Sequence, residues 1–152
     1  MSARPPACWA CAAALALGLG AYPALAQQRA PTVEKPVKIR LTAAGKVLTA
    51  TLLDNATARG FAALLPLTLT LTDYASTEKV SDLPRRLNTQ GAPAGATPSV
   101  GDLAYYAPWG NLAIYYKDFS HSPGLIKLGT LDGGLEALRA AGPFEVKVEL
   151  AK

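Results

Sequence analysis

Leu67-Thr68-Leu69-Thr70-Leu71-Thr72 places an apolar residue at every second position without a fault. A period of two is the geometry of an extended strand, whose side chains point alternately to opposite faces. Leucine on one face and threonine on the other describes a sheet with one side on a core and the other in water. A helix would spread those leucines around its whole circumference. The alternation therefore reads as a strand of a one-sided sheet.

The same period recurs at both ends of the region that follows the leader. Val37, Ile39 and Leu41 alternate with Lys38, Arg40 and Thr42, and Phe144, Val146, Val148 and Leu150 alternate with Glu145, Lys147 and Glu149. Ala43-Ala44-Gly45-Lys46 reads as a turn into a second strand, Val47 to Leu53. Asp54-Asn55 opens a helix with Asn55 as N-cap, Ala58, Phe61, Ala62 and Leu65 form its apolar face, and Pro66 stops it. After the Leu67–Thr72 strand, Asp73 to Thr77 is a turn and Glu78 to Leu83 a weaker strand. Pro84 to Ser99 is a long connection without periodicity, of the kind that is functional or disordered. Strands follow at Asp102–Tyr106, Asn111–Lys117 and Leu125–Leu128. A second short helix is expected at Leu135–Ala140, ended by Gly142-Pro143. About eight short strands and two short helices describe a mainly β fold, a closed barrel or a sandwich. First and last strands that are both long and amphipathic are natural neighbours for closing a barrel.

The beginning of the 152-residue chain has a different character. Arg4 precedes an apolar run from Ala7 to Ala21, Pro23 breaks it, and Ala24-Leu25-Ala26 has the small-x-small pattern of a signal-peptidase site. Residues 1–26 are expected to be a cleaved export signal, with an uncleaved anchor as the alternative. Export to a periplasm, or secretion, follows from the first, with no membrane association after cleavage. Residues 27–36 form a flexible lead with Pro31 and Pro36, and the domain is expected over residues 37–151. Cys8 and Cys11, the only cysteines, both fall in the signal, so the exported domain has no disulfide and depends on its core. The net charge of +4 falls to +3 when Arg4 leaves with the signal. The charges are scattered, so no nucleic-acid surface is expected.

Chemistry-bearing residues concentrate between Gly101 and Gly134, which hold six of the eleven aromatics and the one histidine, His121. In the strands there, Leu103 and Tyr105 oppose Ala104 and Tyr106, and Leu112, Ile114 and Tyr116 oppose Ala113 and Tyr115. One tyrosine of each pair is expected in the core and the other outside. Trp109, at the turn between the two strands, either caps a pocket or covers a barrel end. His121 has no ligand partners at metal-site spacing, and no metal or cofactor is expected. As a general base it would need an orienting acid such as Asp118. Of Arg85 and Arg86, which point opposite ways on an extended segment, one would face a pocket or pair with Asp82 or Asp102. There is no nucleophile elbow, phosphate loop or catalytic triad pattern.

Several segments, in order, resemble the bacterial cyclophilin-like fold proteins. They are Leu53-Asp54-Asn55-x-Thr57-Ala58, Leu64-Leu65-Pro66-Leu67, Leu83-Pro84-Arg85, Gly101-Asp102 and Tyr105-Tyr106-Ala107-Pro108-Trp109-Gly110-Asn111. Asp118-Phe119, Ser122-Pro123-Gly124-Leu125, Leu128-Gly129 and Leu131-Asp132-Gly133-Gly134-Leu135 continue the series. The resemblance spans Val37 to Leu150 and implies a small closed β-barrel with two capping helices. The Phe-His-Arg-Val and Gln-Gly-Gly-Asp segments of the true prolyl isomerases are absent. The expectation is a domain without catalytic residues that binds a small molecule or peptide near Arg85, Trp109, Tyr116, Phe119 and His121. A non-standard prolyl isomerase, or a partner of a redox or transport protein, are the alternatives.

Overall fold

The computed structural model describes residues 35–152. The expected export signal and residues 27–34 of the lead lie outside the described residues.

The alternating segments become strands β1 (Lys38–Ala43), β2 (Lys46–Leu52), β3 (Leu67–Tyr74) and β4 (Glu78–Asp82). After the long connection, which contributes the two-residue β5 (Gly95–Ala96), come β6 (Asp102–Tyr106) and β7 (Asn111–Tyr115). The two-residue β8 (Ser122–Pro123), then β9 (Leu125–Leu131) and β10 (Phe144–Leu150), complete the set. Eight of these close into an antiparallel barrel in the order β1-β10-β3-β4-β7-β6-β9-β2. The terminal strands are neighbours, with Leu41 opposite Val148. Closure removes the exposed edges that an open sheet would present.

The inward row of each strand fills the barrel. Ile39, Leu41, Leu48, Leu71, Leu103, Leu112, Ile114, Leu128, Val146 and Val148 are all buried in one cluster. Each such aliphatic side chain is worth about 1.5–3 kcal/mol relative to leaving it in water. Leu69 and Leu71 belong to this core while Thr68, Thr70 and Thr72 are exposed, as the alternation demands. Tyr105 also points inward, and its hydroxyl accepts from the Leu87 N–H at 3.2 Å.

One α-helix among the described residues, α1 (Ala56–Ala62), follows β2, and its Asn55 cap accepts from the Ala58 N–H at 2.8 Å. The helix seals one barrel mouth with Phe61, which is fully buried. The second expected helix is a 3-10 turn, Leu135–Arg139. It starts from Gly134 with no side-chain cap, and Gly142-Pro143 follow closely, so the segment closes i→i+3 bonds but not a longer α-helical run. Since it leaves β9, which runs antiparallel to β2, it lies at the opposite mouth. There it inserts Leu138 into the core.

Part of the wall is buried on both faces. Every residue of β7 and four of the five in β6 are buried. The long connection folds back over the outside of these strands and is pinned by pairing of β5 with β8, Gly95 opposite Pro123 and Ala96 opposite Ser122. Beneath it Ala104, Ala113, Tyr115 and Leu125 form a second apolar cluster. Gly95 is required by that closeness. A Cβ there would stand 2.6 Å from the Ser122 carbonyl oxygen and 2.8 Å from the His121 ring.

Candidate functional site

Between this flap and the β3–β4 turn, the outer face of β4, β7 and β6 stays open as a groove of about 270 Å³. The register explains its floor. Glu78 lies opposite Tyr115, and Val80 opposite Ala113, so these side chains share the outward row of the wall. Asn111 has the same parity on β7 and joins them.

The walls are aromatic. Trp109 meets Tyr74 edge-on at a centroid distance of 5.5 Å and Tyr106 at 5.3 Å. Edge-to-face pairs of this kind hold a ring in place while leaving a face free. Trp109 is 56% exposed and Phe119, across the groove, 48%. Phe119 is set by its own N–H, which donates to the Pro98 carbonyl at 3.2 Å. The neighbouring Asp118 carboxylate accepts from the Val100 N–H at 2.8 Å. Asp118 is thus used to fold the loop and makes no bond with His121. The His121 ring lines the groove with its Nδ1 3.5 Å from the Thr97 hydroxyl.

Of the five residues singled out in the sequence, Trp109, Phe119 and His121 come together here; Arg85 and Tyr116 do not line the groove. Arg85 is exposed at the start of the long connection. Its neighbour Arg86 makes the contact with the Trp109 turn, donating to the Ala107 carbonyl at 2.7 Å and to that of Pro108 at 3.4 Å. Neither Asp82 nor Asp102 pairs with these arginines, and Asp102 binds Lys127 at 2.8 Å. Tyr116 points to the other side of the wall and donates to Asp73 at 2.6 Å. Desolvation and that carboxylate push its phenol up to about 12.

Three residues outside the expected binding set form the polar base: Glu78, Asn111 and Tyr115. Asn111 is 4% exposed, and among the described residues its Oδ1 has no hydrogen-bond partner, nor has Oε2 of Glu78. Burial raises the Glu78 carboxyl above its ordinary value of 4.5, against the opposing pull of the Tyr115 hydroxyl. Burial, then Glu78, drive the Tyr115 phenol well above its usual range. The available signal was the unbroken apolar run around Tyr105-Tyr106 and Ala113-Ile114-Tyr115, which marks a wall covered on both sides.

A stability prediction follows for Glu78. Its folded-state pKa is raised, so the ionised carboxylate opposes folding above that value and does not below the unfolded value near 4.5. Glu78→Gln is expected to raise the Tm by about 1–4 °C at pH 7. The gain should vanish at pH 3.5. A Tm lowered at pH 7 would mean that the carboxylate has a stabilising partner.

Comparison with known proteins places the chain. The family model for the cyclophilin-like family matches residues 41–149. The chain belongs to the cyclophilin-like family. The match covers the barrel from β1 to β10, including all the groove-lining strands. Among solved structures, the solution structure of a hypothetical protein from Archaeoglobus fulgidus is similar, with a TM-score of 0.57 at 19% identity. The match covers 78% of this chain and 99% of that one, and it shows a shared fold. No curated protein is significantly similar to the chain.

Proposed function

We propose that this cyclophilin-like domain is an exported binding module that seats a small molecule or a peptide side chain in the groove beside Trp109, without transforming it. The observation that carries the reading is the buried, unpartnered Asn111 Oδ1 at the base of an aromatic-walled cleft. An unsatisfied buried acceptor costs about 1–3 kcal/mol, and a ligand donor would recover it. The cleft volume of about 270 Å³ lies just under the range of drug-sized sites and suits a compound or side chain of a dozen or so heavy atoms. Export rests on the leader pattern of residues 1–26. For prolyl isomerisation an arginine beside the apolar floor would be needed. Among the described residues none lines the groove, since Arg86 is committed to two carbonyls of the Trp109 turn.

The test is a fragment and short-peptide panel screened by NMR at the Trp109 indole N–H. Hits should shift this signal, and Trp109→Ala should weaken them at least about tenfold, the loss of one aromatic contact worth ~1.4 kcal/mol. Because the ring is half exposed, the same change should cost little stability. A panel without hits, or hits that shift signals only elsewhere, would retire the groove as a site.

A further inference from the structure

Both orphaned polar atoms in the groove are acceptors, Oε2 of Glu78 and Oδ1 of Asn111. What they lack is a donor. Among the described residues the groove lining contains no lysine and no arginine, and Glu78 is its one carboxylate. A carboxylate removed from water is costly without a counter-charge. Around it stand the rings of Tyr74, Tyr106, Trp109 and Phe119, and aromatic faces attract cations. Donor shortage, unbalanced negative charge and aromatic walls all ask for the same group.

Resting on the groove reading above, we infer that the site selects a protonated primary amine attached to a flat apolar body. The ammonium donates to Glu78 and Asn111 at the base. The apolar body lies along Trp109 and Phe119, both half exposed and each with ring surface to cover. The cleft has room for one such group and not for a folded segment. Free aryl-alkyl amines and the terminal or lysine amine of a peptide share this chemistry.

The probes are 2-phenylethylamine and its neutral counterpart 2-phenylethanol, titrated into the protein at pH 7 with the Trp109 indole and Asn111 side-chain amide as NMR reporters. The amine is expected to bind at least about tenfold more tightly than the alcohol. In Glu78→Gln, which should fold at least as well as wild type, the two should bind alike, with the alcohol's affinity kept. Equal binding in the wild type, or preference for the alcohol, would overturn the amine inference and leave the groove standing. No shift at Trp109 with either probe, nor with the wider panel, would remove both. A second arm uses a Phe-Lys dipeptide and its fully acetylated form. A response to the unmodified peptide alone supports the inference and identifies a peptide source; a response to the free amine alone supports it and identifies a small molecule. Undiminished binding of the acetylated peptide would overturn it.

Discussion

Gly129→Ala should cost about 3 kcal/mol or more of unfolding free energy, read as a fall in the urea midpoint. Gly129 lies on β9 opposite Leu52 of β2. A Cβ on it would press into the Thr51 carbonyl oxygen and stand 2.9 Å from the Leu52 Cα. Both obstacles are backbone, so no side-chain rotation relieves them. An irregularity lies on the other side of β9. There the register with β6 shifts between Leu103 and Ala104, so β9 is irregular at the same level. The β2–β9 ladder has three paired positions, Ala50 with Leu131, Thr51 with Thr130 and Leu52 with Gly129. Forcing the last pair apart therefore opens the barrel along one of its shortest seams. It also disturbs the bond from the Leu53 N–H to the Leu128 carbonyl at 2.8 Å, which leads into α1. Hydrogen exchange at Leu53 should rise more than at Ile114 across the barrel. A loss under about 1 kcal/mol would mean that β2 can retreat without opening the seam.

What could be read in the sequence was whatever is local or periodic. The Leu67–Thr72 alternation, the Asn55 cap and the adjacency of first and last strands each depend on a few neighbouring residues or on one period. The family resemblance, carried by short ordered segments such as Tyr105–Asn111, lies within the matched residues 41–149. The second helix failed because Leu135–Arg139 has apolar residues at helical spacing but neither a cap nor the length for i→i+4 bonds. Arg85 was named where Arg86 makes the contact, since which of two adjacent side chains turns inward depends on how the loop folds back. The groove's polar base was hidden for a further reason. Glu78 and Asn111 sit on outward rows, which ordinarily meet water. Asn111 is buried and Glu78 half-buried on a face beside the segment pinned by Gly95-Ala96 and Ser122-Pro123, a pairing between segments far apart in the chain that no periodicity announces.

Lys79 tests the opposite face of the same wall. It lies beside Glu78 on β4 and pairs with Ile114, so its side chain points inward where Glu78 points out. It is 2% exposed. Its ammonium donates to the Ala140 carbonyl at 2.9 Å, lies 3.2 Å from the Asp73 carboxylate, and sits 5.6 Å from the Phe144 ring centre and 5.9 Å from that of Tyr116. Lys79→Ala leaves the Ala140 carbonyl without its donor, Asp73 without its counter-charge and a cavity between two rings. The expected loss is about 3 kcal/mol. Lys79→Met keeps the stem volume and should cost less, about 1–2 kcal/mol, because it removes the cavity but still leaves the Ala140 carbonyl without its donor, while the partly exposed Asp73 can turn to water. Equal losses in the two variants would mean that charge, not volume, is what the site requires. The acid limb of the stability curve separates these further. The Tyr116 hydroxyl first, and Lys79 after it, hold the Asp73 carboxyl below its ordinary 3.8. A lowered carboxyl contributes stability above the unfolded value and loses it as pH falls through the folded one. In Lys79→Met this acid-dependent loss, measured by urea midpoints below pH 4, should shrink but persist, since the larger contribution from Tyr116 remains. Amine binding in the groove should be unchanged in Lys79→Met, because Lys79 and Tyr116 lie on the other side of the wall while Glu78 and Tyr115, one residue away, line the groove. Full amine affinity there, beside its fall to the alcohol's level in Glu78→Gln, would separate the two faces of one ladder.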